Sequence, residues 1–113
     1  KHSIMSNNTK NTLRKVMKLA WQFIRKNGFT LSEALKTAWA NVKLGVAMAK
    51  GIVKFYFQKV DGTRREAYGT TNLNRIPSEY HPKGESKNIP TLQVYFDTEK
   101  NAWRSFKKAN LVY

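Results

Sequence analysis

Acidic residues and cysteine are the scarce components of this 113-residue chain. The absence of cysteine excludes disulfides and Cys-ligated zinc, and it is typical of a reducing compartment, so we expect a cytoplasmic protein. No apolar run approaches the length of a membrane span, and the sequence predicts no signal peptide. Only 7 Asp and Glu stand against 21 Lys and Arg.

The resulting net charge of +14 predicts a polyanionic partner. Like charges repel one another and oppose compaction, so the excess adds nothing to folding and indicates DNA, RNA or another acidic surface. The charge is uneven: residues 1–51 contain ten Lys and Arg and a single acid, Glu33, whereas residues 52–113 contain eleven and six. We therefore expect the anion-binding surface first in the N-terminal half.

The N-terminal half has the apolar periodicity of two helices, and hydrophobic residues make up 41% of the chain, enough for a core. The first helix is predicted over 12–27, with Gly28 as its left-handed stop. Its predicted apolar arc consists of Leu13, Val16, Met17, Ala20, Trp21, Phe23 and Ile24.

The second predicted helix begins with a capping box. Thr30 and Glu33 have the Thr-x-x-Glu spacing in which each side chain satisfies a free backbone N–H. The helix is expected to end at Lys50, before Gly51. Its predicted buried stripe consists of Leu31, Ala34, Leu35, Ala38, Val42, Val46 and Ala49.

Alternating apolar and polar residues from position 53 predict a β-hairpin with its turn at Asp61-Gly62. A two-residue turn would pair Phe57 with Glu66 on one face. A three-residue turn with Gly62 left-handed would pair Phe55 with Ala67. The second register is favoured because it separates apolar from polar side chains.

The rest of the chain predicts a loop and a second hairpin. Residues 70–90 are polar and contain all three prolines, so we expect a long loop with little regular structure. A second hairpin is predicted from 92–96 and 102–106, followed by a short strand at 111–113.

The predicted organisation is one compact α+β domain. A flexible N-terminus, 1–10, precedes a helical hairpin, 11–51, and a small antiparallel SH3-like or Sm-like β-barrel, 52–113. Closure into a barrel is expected because it removes the exposed edges of a few short strands.

Three stretches together resemble a known family: residues 32–41, the hairpin 61–70, and the tail Tyr95–Asp97 with Trp103–Phe106. They are similar to small WYL-like proteins with an Sm-like SH3 β-barrel, common in Bacteroides-type bacteria and their phages. The resemblance covers about residues 11–112 and implies helices followed by such a barrel. It implies no catalytic residue, whereas Sm-like barrels often bind RNA and WYL domains are associated with transcription regulators and ligand or nucleic-acid sensing.

Candidate nucleic-acid contacts fall into three groups. An edge of the second helix offers Lys36, Trp39, Lys43 and Lys50. The outward face of the first hairpin offers Lys54, Tyr56, Arg64, Arg65 and Tyr68, where cations alternate with aromatic rings as single-strand binding requires. The C-terminal part adds Arg104, Lys107 and Lys108.

Each group has a structural alternative. The lysine edge is also compatible with an ordinary solvated helix face, with Trp39 partly buried against the barrel. The hairpin face is equally compatible with a cross-strand ladder in which Glu66 pairs with Arg64 or Lys54. Arg65 is expected to turn inward if the strand ends there.

The leading hypothesis is a small, non-enzymatic nucleic-acid-binding protein with phosphate-dominated contacts and weak sequence preference. No nucleophile–base pair, acidic metal cluster or other cofactor motif is present. An adaptor for an acidic protein surface is the alternative. A ligand-sensing module, with a pocket lined by Arg65, Tyr68 and Arg104, is the third. Membrane binding is not expected, because the first helix commits its apolar side to a core that includes Trp21.

Overall fold

Two helices precede a five-stranded antiparallel sheet in a computed structural model of the protein, which describes residues 7–84 and 89–113, with the backbone alone at 7–9. The elements are α1 (Asn7–Asn27), α2 (Leu31–Lys50), β1 (Val53–Gln58), β2 (Arg64–Thr70), β3 (Leu92–Asp97), β4 (Ala102–Lys107) and β5 (Leu111–Val112). This architecture confirms the predicted α+β class. No helix within the described residues is long and apolar enough to cross a membrane.

Helix α1 begins earlier than its apolar pattern predicts. It starts at Asn7 and ends at Asn27, where Gly28 has the predicted left-handed φ of 70°. Residues 7–11 are all polar, so periodicity gives no signal for this extra turn and a half. The predicted flexible N-terminus is therefore helical at 7–10, and the remainder, 1–6, lies outside the described residues.

The predicted apolar arc of α1 is only partly buried. Val16 and Phe23 are each 1% exposed, whereas Leu13, Met17 and Trp21 are 37%, 42% and 50% exposed. The prediction of a core containing Trp21 is wrong. The reason is that α1 packs chiefly on one neighbour, α2, which covers a narrower stripe than a helix between two layers would bury.

Helix α2 begins with the predicted capping box. The Glu33 N–H donates to Thr30 Oγ1 at 3.1 Å, and the Thr30 N–H donates to Glu33 Oε1 at 3.0 Å. The backbone and side-chain hydrogen bonds from Thr30 lower the pKa of Glu33. The single acid of residues 1–51, Glu33, is therefore engaged in the helix cap.

Helix α2 is buried on two sides rather than along one stripe. Ala34 and Ala38 are buried, as predicted, and pack against α1, while Leu44 and Met48 pack on the sheet. The predicted stripe is wrong at Leu31, Val46 and Ala49, which are exposed. A single apolar arc does not describe the burial of α2, because this helix packs against both α1 and the sheet.

The first hairpin has the register that the three-residue turn predicts. Phe55 pairs with Ala67, the Lys59 N–H donates to the Thr63 carbonyl at 2.7 Å, and Gly62 has a φ of 91°. A slip of one residue would turn every side chain to the other face, so the apolar pattern specifies this register strongly.

The sheet has the order β4-β3-β2-β1-β5 and is open, with β4 and β5 at its edges. The predicted barrel closure is therefore not confirmed. One face of the sheet carries a buried aromatic cluster that packs against α2. Its members are Leu44, Met48, Phe55, Phe57, Ala67, Tyr95, Phe106 and Leu111.

The described part of the predicted loop at 70–90 is more structured than its composition indicates. It contains 3-10 turns at Leu73–Arg75 and Ser78–Tyr80, and Ile76 between them is 4% exposed. The Tyr80 ring packs on Phe96, and the indole N–H of Trp103 donates to the Tyr80 carbonyl at 2.6 Å. This segment covers one face of β3 and β4.

Candidate anion-binding surfaces

The predicted lysine edge of α2 forms one exposed surface. Lys36, Trp39, Lys43 and Lys50 fall within an arc of about 60° at 100° per residue, and all four are exposed. Trp39 is 37% exposed, so its side chain is partly buried and still presents part of its ring to solvent. Among the described residues, none of the three lysines has an ion pair, which leaves their charges available to a partner.

The outward face of the first hairpin is internally paired. The Tyr56 hydroxyl donates to Glu66 Oε2 at 3.0 Å, and Lys54 Nζ lies 3.7 Å from the same oxygen. Lys54 and Arg64 lie 5.8 and 5.9 Å from the Tyr56 ring centroid. A hydrogen bond with Tyr56 and the Glu66 charge raise the pKa of Lys54. This is the cross-strand ladder that the sequence left open as an alternative.

Arg65 and Arg104 turn to the opposite face of the sheet and share one carboxylate. Arg65 Nη2 donates to Asp97 Oδ2 at 2.8 Å, and Arg104 Nε lies 3.8 Å from that oxygen. Tyr68 projects with the outer face, opposite Lys54, so the predicted pocket trio of Arg65, Tyr68 and Arg104 does not form. Alternation along β2 explains the error, because residues 65 and 68 lie on opposite faces.

Asp97 has both a structural and an electrostatic role. Its side chain is 1% exposed, and Oδ1 accepts the backbone N–H groups of Glu99 and Lys100 at 3.0 and 3.1 Å. Its side chain therefore fixes the β3–β4 turn. Its pairing with Arg65 went undetected, because that contact spans 32 positions.

The Tyr95 hydroxyl is buried beside this cluster without a hydrogen-bond partner in the described structure. Burial raises the pKa of Tyr95, and the charge of Arg65 opposes that shift. The phenol therefore stays neutral. A buried hydroxyl without a partner costs about 1–3 kcal/mol. Sequence reasoning treated Tyr95 only as an apolar position of a strand.

A second surface is a groove between the helices and the sheet, with a volume of about 730 Å³. We call it the helix groove. Among the described residues its lining contains three lysines, Lys15, Lys18 and Lys108, and no acidic residue. The other lining residues are Thr12, Leu19, Gln22, Asn41, Val42, Gly45, Val46, Ala49, Pro90 and Gln93.

The helix groove holds like charges close together. Burial and the charge of Lys15 lower the pKa of Lys108, and within the described ranges no carboxylate pairs with any of the three lysines. Asn41 Nδ2 donates to the Thr37 and Lys108 carbonyls, both at 2.8 Å. These bonds fix the segment after β4 against α2, so Lys108 is held at the groove by the fold.

The structure separates residues that the sequence grouped together. Lys107 lines a pocket beside Arg65 and Arg104, whereas its neighbour Lys108 lines the helix groove. Lys15 and Lys18, which belong to none of the three predicted groups of nucleic-acid contacts, join Lys108 at the groove. The available sequence signal was the absence of any acid from α1.

Residues 41–112 match the family described as WYL_2, Sm-like SH3 beta-barrel fold. The chain belongs to this family. Neither the curated proteins nor the solved structures give a match. The WYL_2 region includes the sheet and the end of α2, which confirms the resemblance over a shorter stretch than residues 11–112.

The WYL_2 region contains only some of the candidate surface residues. Lys108 and the Arg65–Asp97–Arg104 cluster lie inside it, whereas Lys15 and Lys18 lie on α1, outside it. The helix groove is therefore built where the WYL_2 region meets the preceding helix.

Proposed function

We propose that the protein is a non-enzymatic, cytoplasmic nucleic-acid-binding protein whose contacts are mainly with phosphates and whose sequence preference is weak. The observation that carries the proposal is the helix groove, where Lys15, Lys18 and Lys108 meet and the part of the lining that the structure describes has no acidic residue. Contacts of this kind read the backbone and not the bases, so they bring little base discrimination.

The electrostatics of the helix groove favour a phosphate chain. Lys108 is partly desolvated and repelled by Lys15, and an anion placed between them relieves both unfavourable effects. Release of the counterions condensed on the nucleic acid adds a salt-dependent driving force for each phosphate neutralised.

The lysine edge of α2 extends the cationic surface beyond the helix groove. It lies about a quarter-turn around α2 from the groove-lining positions 42, 45, 46 and 49 at 100° per residue. Trp39 within it presents an exposed ring on which a base can stack. The hairpin face is less suited, because Glu66 and the Tyr56 ring already engage its cations.

The test is fluorescence anisotropy of a mixed-sequence single-stranded oligonucleotide at about 50 mM salt. Replacing Lys15, Lys18 and Lys108 with Gln gives the groove triple, which we expect to weaken binding by about tenfold or more. The control replaces three exposed lysines elsewhere, Lys26, Lys83 and Lys100, and keeps the same net charge. Equal weakening by both variants would refute the groove as the binding site.

A second candidate, an adaptor for an acidic protein, is favoured by the apolar surface of α1. Leu13, Met17 and Trp21 are exposed at successive four-residue intervals, which places them along one side of the helix. Arg14 and Arg25 flank this side and would complement acidic residues on a partner. Absence of any gel shift with micromolar protein at low salt, for both DNA and RNA, would favour this candidate over nucleic acid.

A further inference from the structure

A pocket of about 600 Å³ lies on the aromatic side of the open sheet, apart from the helix groove. We call it the seam pocket, because it lies between the end of β1 with its turn and the edge strand β4. Its lining consists of Phe57, Gln58, Lys59, Val60, Asp61, Arg65, Leu92, Tyr95, Arg104, Ser105, Phe106, Lys107 and Asn110. Its volume is in the range of small-molecule sites.

Two guanidinium groups at the seam pocket share a single carboxylate. Arg65 and Arg104 share Asp97, whose other oxygen is occupied by two backbone N–H groups. One guanidinium charge is therefore not neutralised within the cluster. Arg65 Nε is buried and has no hydrogen-bond partner in the described structure.

The Tyr95 phenol is a second group without a partner. It is fully buried, lines the seam pocket and lies near enough to Arg65, Asp97 and Arg104 to feel their charges. Buried polar groups are nearly always hydrogen-bonded in folded proteins. A buried guanidinium N–H and a buried phenol, both unpaired and both beside one pocket, indicate a missing acceptor.

Another part of the seam-pocket wall is apolar and aromatic. Phe57 and Phe106 stack with ring centroids 5.1 Å apart and an interplanar angle of 14°. Leu92 adds an aliphatic side chain. Such a wall favours a ligand whose body is an aromatic ring, since offset stacking contributes beyond the burial of area.

We propose that the seam pocket binds a small ligand that carries an oxyanion, either carboxylate or phosphate, on a flat aromatic ring system. The oxyanion accepts from Arg65 Nε, from the Arg104 guanidinium and from the Tyr95 hydroxyl. The ring packs on Phe57 and Phe106. This inference does not depend on nucleic-acid binding, because no seam-pocket residue lines the helix groove.

The experiment titrates the ¹⁵N-labelled protein with 1-naphthoate and with AMP, and follows the Nε–H signals of Arg65 and Arg104 by NMR. The uncharged compounds 1-naphthamide and adenosine are the matched controls. We expect at least one anion to shift both arginine signals with a Kd of about 1 mM or tighter, while its uncharged analogue binds at least about tenfold more weakly. Which anion binds distinguishes an aromatic carboxylate from a nucleotide.

Two variants test the assigned contacts. Tyr95→Phe removes only the hydroxyl, and we expect an unchanged or higher midpoint of thermal unfolding together with about three- to tenfold weaker binding. Arg104→Gln, at a half-exposed position, is expected to weaken binding by about tenfold.

Arg64→Gln is the matched control, because Arg64 neighbours Arg65 on the opposite face of β2. It should leave the affinity within about twofold, and so should the groove triple. The proposal is overturned if no anion shifts the two arginine signals at about 5 mM. It is also overturned if Tyr95→Phe binds as tightly as the unaltered protein, or if Arg64→Gln weakens binding as much as Arg104→Gln.

Discussion

The helices and the sheet treat their charges in opposite ways. All three ion pairs within residues 7–84 and 89–113 lie on the sheet, where Glu66 engages Lys54 and Asp97 engages Arg65 and Arg104. The helical half has one acid, Glu33, which caps α2. Three sheet cations, Lys54, Arg65 and Arg104, are therefore engaged by acids, whereas the cations of the described helices have no ion pair and are left for a partner or for solvent.

This difference shows where on the molecule the unpaired cations lie. A total of +14 does not say which cations are available, since a paired charge is already satisfied. The helix groove collects unpaired charges from α1 and from the segment after β4, against the repulsion between them. Removing the paired charges of the sheet should therefore lower the stability, whereas removing the groove lysines should weaken nucleic-acid binding.

The largest expected effect comes from breaking the buried pair on the sheet. Asp97→Ala leaves the partly buried Arg65 without its counter-ion and removes both turn hydrogen bonds, so we expect a loss of about 3–5 kcal/mol in the free energy of unfolding. Urea denaturation measures the change. A loss below about 1 kcal/mol would show that the Asp97 cluster does not hold the sheet together.

Two glycines, one on β2 and one on α2, differ in how closely other side chains pack against them. A Cβ on Gly69 would lie 2.5 Å from Tyr95 Cδ2 and 3.1 Å from Phe55, so Gly69→Ala is expected to destabilise by about 1–3 kcal/mol. On Gly45 in α2, the nearest atom is 4.0 Å away, and Gly45→Ala should stabilise by up to about 1 kcal/mol. Thermal unfolding of the two variants should shift in opposite directions, and equal shifts would contradict the packing described.

Lys108 tests whether groove cations oppose folding. Its pKa is lowered in the folded chain by burial and by Lys15, so the unfolded chain binds more protons between the folded and the usual pKa. Stability therefore rises with pH across that window, and the penalty is complete below it. Lys108→Met should therefore raise the free energy of unfolding at pH 7.

The pH dependence supplies the control for this prediction. The gain from Lys108→Met should shrink as the pH rises toward the usual lysine pKa and vanish above it, where the unaltered side chain is neutral in both states. Urea titrations at pH 7 and near pH 10.5 measure it. A destabilised variant at pH 7 would mean that the Lys108 stem contributes more by packing than its charge costs.

The smallest effect is expected on the exposed hairpin face. Glu66→Gln removes an ion pair between two half-exposed side chains and weakens one hydrogen bond, so we expect a loss of about 0.5 kcal/mol or less. High salt should reduce the difference further. A loss as large as that of Asp97→Ala would erase the distinction between surface and buried pairs.

The elements of the sheet could be predicted from sequence because their signals are local. Alternation and the Asp61-Gly62 turn specify the register of β1 with β2, and Asn101 has the left-handed φ of 52° expected at the second turn. Burial on the helices was less predictable, since it depends on which neighbours cover each side. The exposure of Trp21 and of Val46 follows from the single neighbour of α1 and the two neighbours of α2.

The sites required long-range information that the sequence does not display. Asp97 reaches Arg65 only because β3 pairs with β2 at Gly69, and Lys108 reaches Lys15 only because Asn41 holds the segment after β4 on α2. The sequence shows which residues are cations. It could not separate those with partners from those without.

The salt dependence of oligonucleotide binding tests the helix groove most directly. The slope of log K against log salt is measured between about 50 and 200 mM for the unaltered protein, for the groove triple, and for a hairpin triple with Gln at positions 54, 59 and 64. Each lost phosphate contact lowers the slope by about 0.7 for a single strand, so the groove triple should be shallower by about two. The hairpin triple should change by less than about 0.7. A groove triple with the original slope, beside a hairpin triple that loses two, would contradict the account.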